Sequence, residues 1–233
     1  MITRIIKRLG GPRPPKFNPK VRWWSDPEWL ARYERHLAAD GLGGRSHPHR
    51  ILDRRFTLAS FAKAARGLKG DTAECGVLRG TSSALICETL RDTYGSEHRH
   101  WAFDSFEGLP KTGATDAQWK KGDLSVTEAT ARAALADFPY VSLIKGWIPE
   151  SLAVVAERKF RLVHIDVDIE TSTRDCLTFF YPRAVPGAVF VIDDYGFHSC
   201  PGARKSVDHF LSNKPEALIE LTTGQGVFFR SGN

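Results

Sequence analysis

The chain has 233 residues, 42% hydrophobic and 26% charged, so it suits one α/β domain with a terminal extension and excludes wholesale disorder. No uninterrupted apolar run exceeds five residues, where a membrane-spanning helix needs about 20. The net charge of +6 is carried by residues 1–24, which hold seven Lys or Arg and no acid; the rest sums to about −1, which removes most support for a nucleic-acid-binding fold surface.

Residues 1–50 read as a basic extension containing one helix, and residues 51–233 as the main domain. Ile2, Ile5, Ile6 and Leu9 fit one side of a short basic helix, and residues 1–16 are therefore a candidate for weak contact with a membrane surface. No secretory h-region is present, and Cys75, Cys87, Cys176 and Cys200 form no C-x-x-C pair, which together point to reduced thiols and a cytoplasmic setting. Asp26-Pro27-Glu28 opens a helix that reaches Ala39. Trp23, Trp24 and Trp29 form an aromatic cluster suited to burial over the active site or in an oligomer interface.

Thr57 to Arg66 reads as a helix, and from Thr72 strands and helices alternate. Strands are expected at 72–75, 100–103, 141–144, 160–165 and 188–192, with helices at 82–91, 173–180 and 203–211. Ser125-x-x-Glu128 is expected to be a capping box opening a helix to Asp137, and 218–221 with 227–230 to form a closing hairpin. Such alternation predicts a parallel sheet with helices on both faces and ligands at the carboxyl ends of the strands.

Glu74-Cys75-Gly76-Val77-Leu78-Arg79-Gly80 follows the first of these strands. Gly76 and Gly80 let the backbone approach a ligand, and the Glu74 carboxylate would repel a pyrophosphate but welcome a cation such as S-adenosylmethionine (SAM); a structural glycine turn is the other reading. Asp104 ends the next strand, where a carboxylate is placed to accept from two ribose hydroxyls or to cap a helix. Trp147 follows the third strand and would lie against adenine or serve packing. Ile165-Asp166-Val167-Asp168 and Ile192-Asp193-Asp194-Tyr195 bring carboxylates to one rim, where they repel unless a cation sits between them. Oxygen-only ligands suit Mg²⁺, with Asp166, Asp193 and Asp194 as the candidate set and Asp168 as alternate; helix capping is the competing role.

The order of these motifs resembles the macrocin O-methyltransferase (TylF/MycF) family. Asp104-Ser105-Phe106-Glu107-Gly108-Leu109-Pro110 is similar to its DSFEGLP element, Lys145-Gly146-Trp147 to KGWF, Asp166-Val167-Asp168 with Ser172-Thr173 to DGDLYEST, and Asp193-Asp194-Tyr195 to DDY. The resemblance covers residues 50–230 and implies a Rossmann-like class I SAM-dependent methyltransferase with a seven-stranded, mostly parallel sheet whose last strand is antiparallel. It also implies Mg²⁺-assisted methylation of a hydroxyl on a sugar or glycosylated small molecule, and a homo-oligomer. Carried over by motif, Glu74, Gly76, Asp104 and Ser105 correspond to the cofactor site and Asp166, Asp193 and Asp194 to the metal site. Val167, Glu170 and His164 depart from the family's usual Gly, Tyr and Arg, which leaves the acceptor open. Asp166 is the first candidate for general base, with His198 and Asp168 as others. The segment from Gly108 to Asp123 is expected to be a mobile lid, with Lys111, Trp119, Lys120 and Lys121 available to an acceptor. Two other functions compete. In a catechol-type O-methyltransferase the first metal acid is usually followed three residues later by Lys; here that residue is Ile169. A non-catalytic SAM- or partner-binding module would not retain four unpaired carboxylates.

Overall fold

A computed structural model describes residues 26–39, 52–95 and 97–232. The basic segment 1–16, Trp23 and Trp24 lie outside the described residues. Six helices are described, α1 (Pro27–Ala39), α2 (Leu52–Ala64), α3 (Thr81–Thr89), α4 (Glu128–Ala134), α5 (Glu170–Phe180) and α6 (Pro201–Leu211). The strands are β1 (Asp71–Cys75), β2 (His100–Asp104), β3 (Val141–Lys145), β4 (Phe160–Ile165), β5 (Ala184–Ile192), β6 (Ile219–Glu220) and β7 (Gly226–Phe229). They form one seven-stranded sheet in the order β3-β2-β1-β4-β5-β7-β6. Strands β1 to β5 are parallel, and β7 runs antiparallel to both β5 and β6. The strand order reverses at β1, between β2 and β4, and opens the crevice where doubly wound sheets bind ligands.

The strands are buried on both faces, and alternate residues serve opposite layers. Val163 and Ile165 of β4 join Phe103, Phe190 and Ile192 beneath Cys176, Leu177 and Phe180 of α5 and Val207 of α6. Leu162, Val189 and Val191 face the other way, against Leu58 and Ala62 of α2 and Ile86 of α3. Asp26 caps α1 as expected, accepting from the amides of Glu28 (3.0 Å) and Trp29 (3.2 Å). That helix packs Trp29, Tyr33 and Leu37 onto Leu52, Ala59 and Leu85, so it shares a core with the domain. At the amino ends of the strands, buried Asp71 accepts from Arg158 (2.6 and 2.9 Å), the Arg99 amide (2.9 Å) and the Trp101 indole (2.7 Å).

Several boundaries differ from the sequence expectation: β5 begins at Ala184, four residues early, and four helix starts shift. Helix α2 starts at Leu52 rather than Thr57, because Arg54 and Arg55 in its first turns face inward. Ser125 and Glu128 form no capping box: α4 begins at Glu128 and ends at Ala134, and Thr127 bonds Thr130 instead. Helices α5 and α6 start three and two residues early, although neither Ile169 nor Cys200 caps them with a side chain. The segment expected as a lid, Gly108 to Asp123, is tied down at its base and at its tip. Its base is closed by Leu109 N to Asp123 O (2.8 Å) and Gly122 N to Leu109 O (2.9 Å), and the Trp119 indole donates to Ser199 O (2.7 Å).

Candidate active site

A cavity of about 250 Å³ opens at the carboxyl ends of β1, β2, β4 and β5. Gly76, Asp104, Ser105, Trp147, Asp166, Asp168, Asp193 and Asp194 all line it, together with Arg54 and Arg55. Gly76 has φ +88°, and its amide donates to Phe103 O (2.9 Å), crossing the end of β1 closely over β4. Asp104 accepts from the Leu78 amide on one carboxylate oxygen (2.8 Å) and the Phe106 amide on the other (2.7 Å), joining the loops after β1 and β2. A carboxylate offers about four acceptor positions, so capacity for a diol remains. Ser105 donates to Gly108 O (2.9 Å) and shapes that turn.

Among the described residues, four that are not glycine have left-handed backbones, Leu78 (φ 50°), Phe106 (φ 56°), Leu124 (φ 64°) and Asp168 (φ 61°), and all four lie in the loops around this cavity. Such conformations are costly for residues with a β-carbon and concentrate where a site demands them.

The acid cluster is partly neutralised by the α2 arginines. The Arg54 guanidinium pairs with Asp193, lies 3.5 Å from Asp194 and stacks 4.4 Å over Phe197. Arg55 lies 3.7 Å from Asp166 and 4.0 Å from Asp193. Asp193 is fully buried and also accepts from Gln225 (2.6 Å), with His164 at 3.3 Å. Asp194 accepts from the Asp168 amide (3.1 Å). Burial, reinforced by the Asp166 charge, pushes the Asp168 carboxyl up to about 7; burial and the neighbouring Asp166 and Asp168 likewise raise Asp194 well above the carboxylate range. The arginines therefore do not fully balance the cluster. Its donor atoms fall into two groups within 4.8 Å, His164 with Asp166 and Asp193, and Asp168 with Asp194 and Cys200, so the expected set of Asp166, Asp193 and Asp194 spans both and a hard dication drawn to its oxygens would compete with Arg54 for Asp193.

Three residues expected at the site are elsewhere. Glu74 points to the opposite face of the sheet, fully buried, bonded by Ser83 and 2.8 Å from His164. It reaches the cavity only through His164 and Asp193. Gly80 has φ +92° and turns the chain into α3, packed on α4, where a β-carbon would lie 3.2 Å from that of Ala134. His198 is exposed in the turn before α6 and lines no part of the cavity. Conversely, Arg54 and Arg55 escaped sequence reasoning. Their signal was a carboxylate excess without counterions, beside tandem arginines at a helix start.

Comparison with known proteins agrees with this architecture. A 4'-O-methyltransferase from Streptomyces olivaceus, acting on 8-demethyl-8-(2,3-dimethoxy-alpha-L-rhamnosyl)-tetracenomycin-C, is 32% identical over 180 residues; the match covers 71% of this chain and 67% of that protein. The structure of the O-methyltransferase NovP superposes with a TM-score of 0.69 at 25% identity, covering 78% of this chain and 81% of NovP. An O-methyltransferase from Bacillus cereus, solved with SAH, shares the fold at 12% identity and a TM-score of 0.59, covering 99% of this chain and 97% of its own. The sheet is thus that of class I SAM-dependent methyltransferases. The macrocin-O-methyltransferase (TylF) family model matches residues 54–231, beginning at the first cavity arginine, and the chain belongs to that family.

Proposed function

We propose that this chain transfers a methyl group from SAM to a hydroxyl of a sugar or glycosylated small molecule, assisted by Mg²⁺. The carrying observation is the charge of the cavity. Its lining holds five aspartates and two arginines, which leaves three negative charges without a counterpart when all are ionised. SAM brings one net positive charge and Mg²⁺ two. The rhamnosyl substrate named for the Streptomyces olivaceus relative supports a sugar acceptor.

When bound, SAM supplies an electrophilic methyl group and Mg²⁺ supplies Lewis acidity toward the acceptor oxygen. The protein supplies orientation and a base. Asp104 accepts from the ribose hydroxyls while its bonds to Leu78 and Phe106 hold both loops in register. Trp147 offers an apolar wall beside it. Asp166, Asp193 and Asp194 would hold the metal, Asp193 by exchanging its pairing with Arg54 for the ion. Asp166 faces the cavity with no hydrogen-bonding donor within 3.5 Å among the described residues, so its carboxylate is free to take the acceptor's proton. The acceptor hydroxyl must lie in line with the methyl group, and the rigid strand ends carrying these acids supply that alignment.

Calorimetric titration with SAH and, separately, Mg²⁺ tests this reading. Asp104→Ala should weaken SAH at least about tenfold, as expected when hydrogen bonds from a charged group are lost. Asp193→Asn/Asp194→Asn should abolish Mg²⁺ binding. A wild-type protein that binds no SAH overturns the methyltransferase reading, and one that binds SAH but no Mg²⁺ overturns its metal.

A further inference from the structure

Helix α5 begins two residues after Asp168, and α6 follows Asp194 after the turn 195–200, yet Ile169 and Cys200 at their starts provide no side-chain cap. The cap comes from the 109–122 loop. Asp116 is 2% exposed; one carboxylate oxygen accepts from the Glu170 amide, the first of α5 (2.8 Å), and the other from the Gly202 amide in the first turn of α6 (3.0 Å). Pro201, ahead of Gly202, has no amide hydrogen to offer. Gly202 is built for this contact: a β-carbon there would lie 2.4 Å from both Asp116 oxygens. One carboxylate thus satisfies orphan amides of two helices and meets both positive dipole ends.

We propose that Asp116 is a positioning residue, a shared cap that locks Asp166 and Asp168 to Asp193 and Asp194 through the helices they precede. Asp168 is two residues before Glu170, and Cys200, at the start of α6, donates to Asp168 at 3.6 Å. The same loop supplies Leu109 and Pro110 to the cavity wall, and Trp119 ties it to Ser199. Loop, helix starts and acid cluster therefore form one mechanical unit, while Asp104 at the end of β2 and Trp147 in the loop after β3 stand outside it. The functional half of this inference rests on the metal-assisted reading; the structural half does not.

Two variants test it by different chemistry. Asp116→Asn keeps one acceptor oxygen and turns an amide donor toward the other helix. Gly202→Ala leaves the carboxylate intact but fills its seat. In both, amide hydrogen exchange should accelerate together at residues 168–172 and 200–204, with the bodies of α5 and α6 still protected. Mn²⁺ affinity, read by electron paramagnetic resonance, should fall at least about tenfold, as for loss of a group that orients metal ligands, while SAH affinity stays within about twofold. Acceleration confined to 109–122 overturns the shared cap. Equal loss of Mn²⁺ and SAH, or unchanged Mn²⁺ affinity, overturns the positioning role. If the wild type binds SAH but no Mn²⁺, the metal reading fails and exchange alone judges the cap.

Discussion

The carbonyl oxygen of Asp166 occupies the place where a β-carbon on residue 76 would stand: built on Gly76, that atom would lie 1.7 Å from it. The loop after β1 and the end of β4 are in backbone contact, and the first acid of the cluster is held by that contact.

Gly76→Ala should therefore destabilise the fold by about 3 kcal/mol or more, since neither backbone has room to retreat and φ is positive. Gly80→Ala, whose nearest neighbour would be a methyl group at 3.2 Å, should cost only about 1 to 2 kcal/mol. Urea denaturation of the two variants measures the difference; equal losses would show that Gly76 is an ordinary turn glycine.

Burial holds His100 at a pKa of about 4, neutral between Ser83 (2.9 Å) and Thr72 (2.7 Å). The unfolded chain, with His100 near 6.5, binds the proton first. Stability from this group is complete above pH 6.5 and is lost as pH falls toward 4, by about 3 kcal/mol in all. The stability of His100→Gln, subtracted from wild type across pH 4 to 7, should leave a slope confined to that window. A flat difference would mean that His100 is accessible to protons in the folded protein.

Arg54 and a bound cation answer the same charge. Arg54→Gln strands the buried Asp193 carboxylate and should cost about 3 kcal/mol without metal. Saturating Mg²⁺ should then raise the melting temperature of the variant more than that of wild type. Equal shifts would show that guanidinium and metal do not share a place.

His198→Ala should change methyl transfer by no more than about twofold, the usual effect of an exposed side chain away from the chemistry. A loss of a hundredfold would require the turn before α6 to fold over the acceptor.

Local signals were legible in the sequence, and long-range ones were not. Strand Phe160–Ile165 and helix Pro27–Ala39 have the expected bounds because a buried run and an Asp-Pro-Glu start are complete within a few residues. Helices α5 and α6 begin early because their cap is Asp116, 54 residues before Glu170 and 86 before Gly202. The true start of α2 was hidden by Arg54 and Arg55, which resemble solvated residues until the aspartates opposite them are in place. In the site, motif positions brought Asp104, Trp147 and the aspartates to one cavity. Periodicity alone decided Glu74: it pairs with His164 in register, and both point to the α2 and α3 side.

The sheet separates two kinds of residue along its length. Asp71 and its four-donor knot stand at the amino ends of the strands, while Leu78, Phe106, Leu124 and Asp168, with their left-handed backbones, stand at the carboxyl ends. Anchoring and adaptation therefore draw on different positions. A diversified library at Leu124, exposed at the cavity mouth and remote from the Asp71 knot, is a direct route to altered acceptor range, whereas Leu78 is tied through its amide to Asp104.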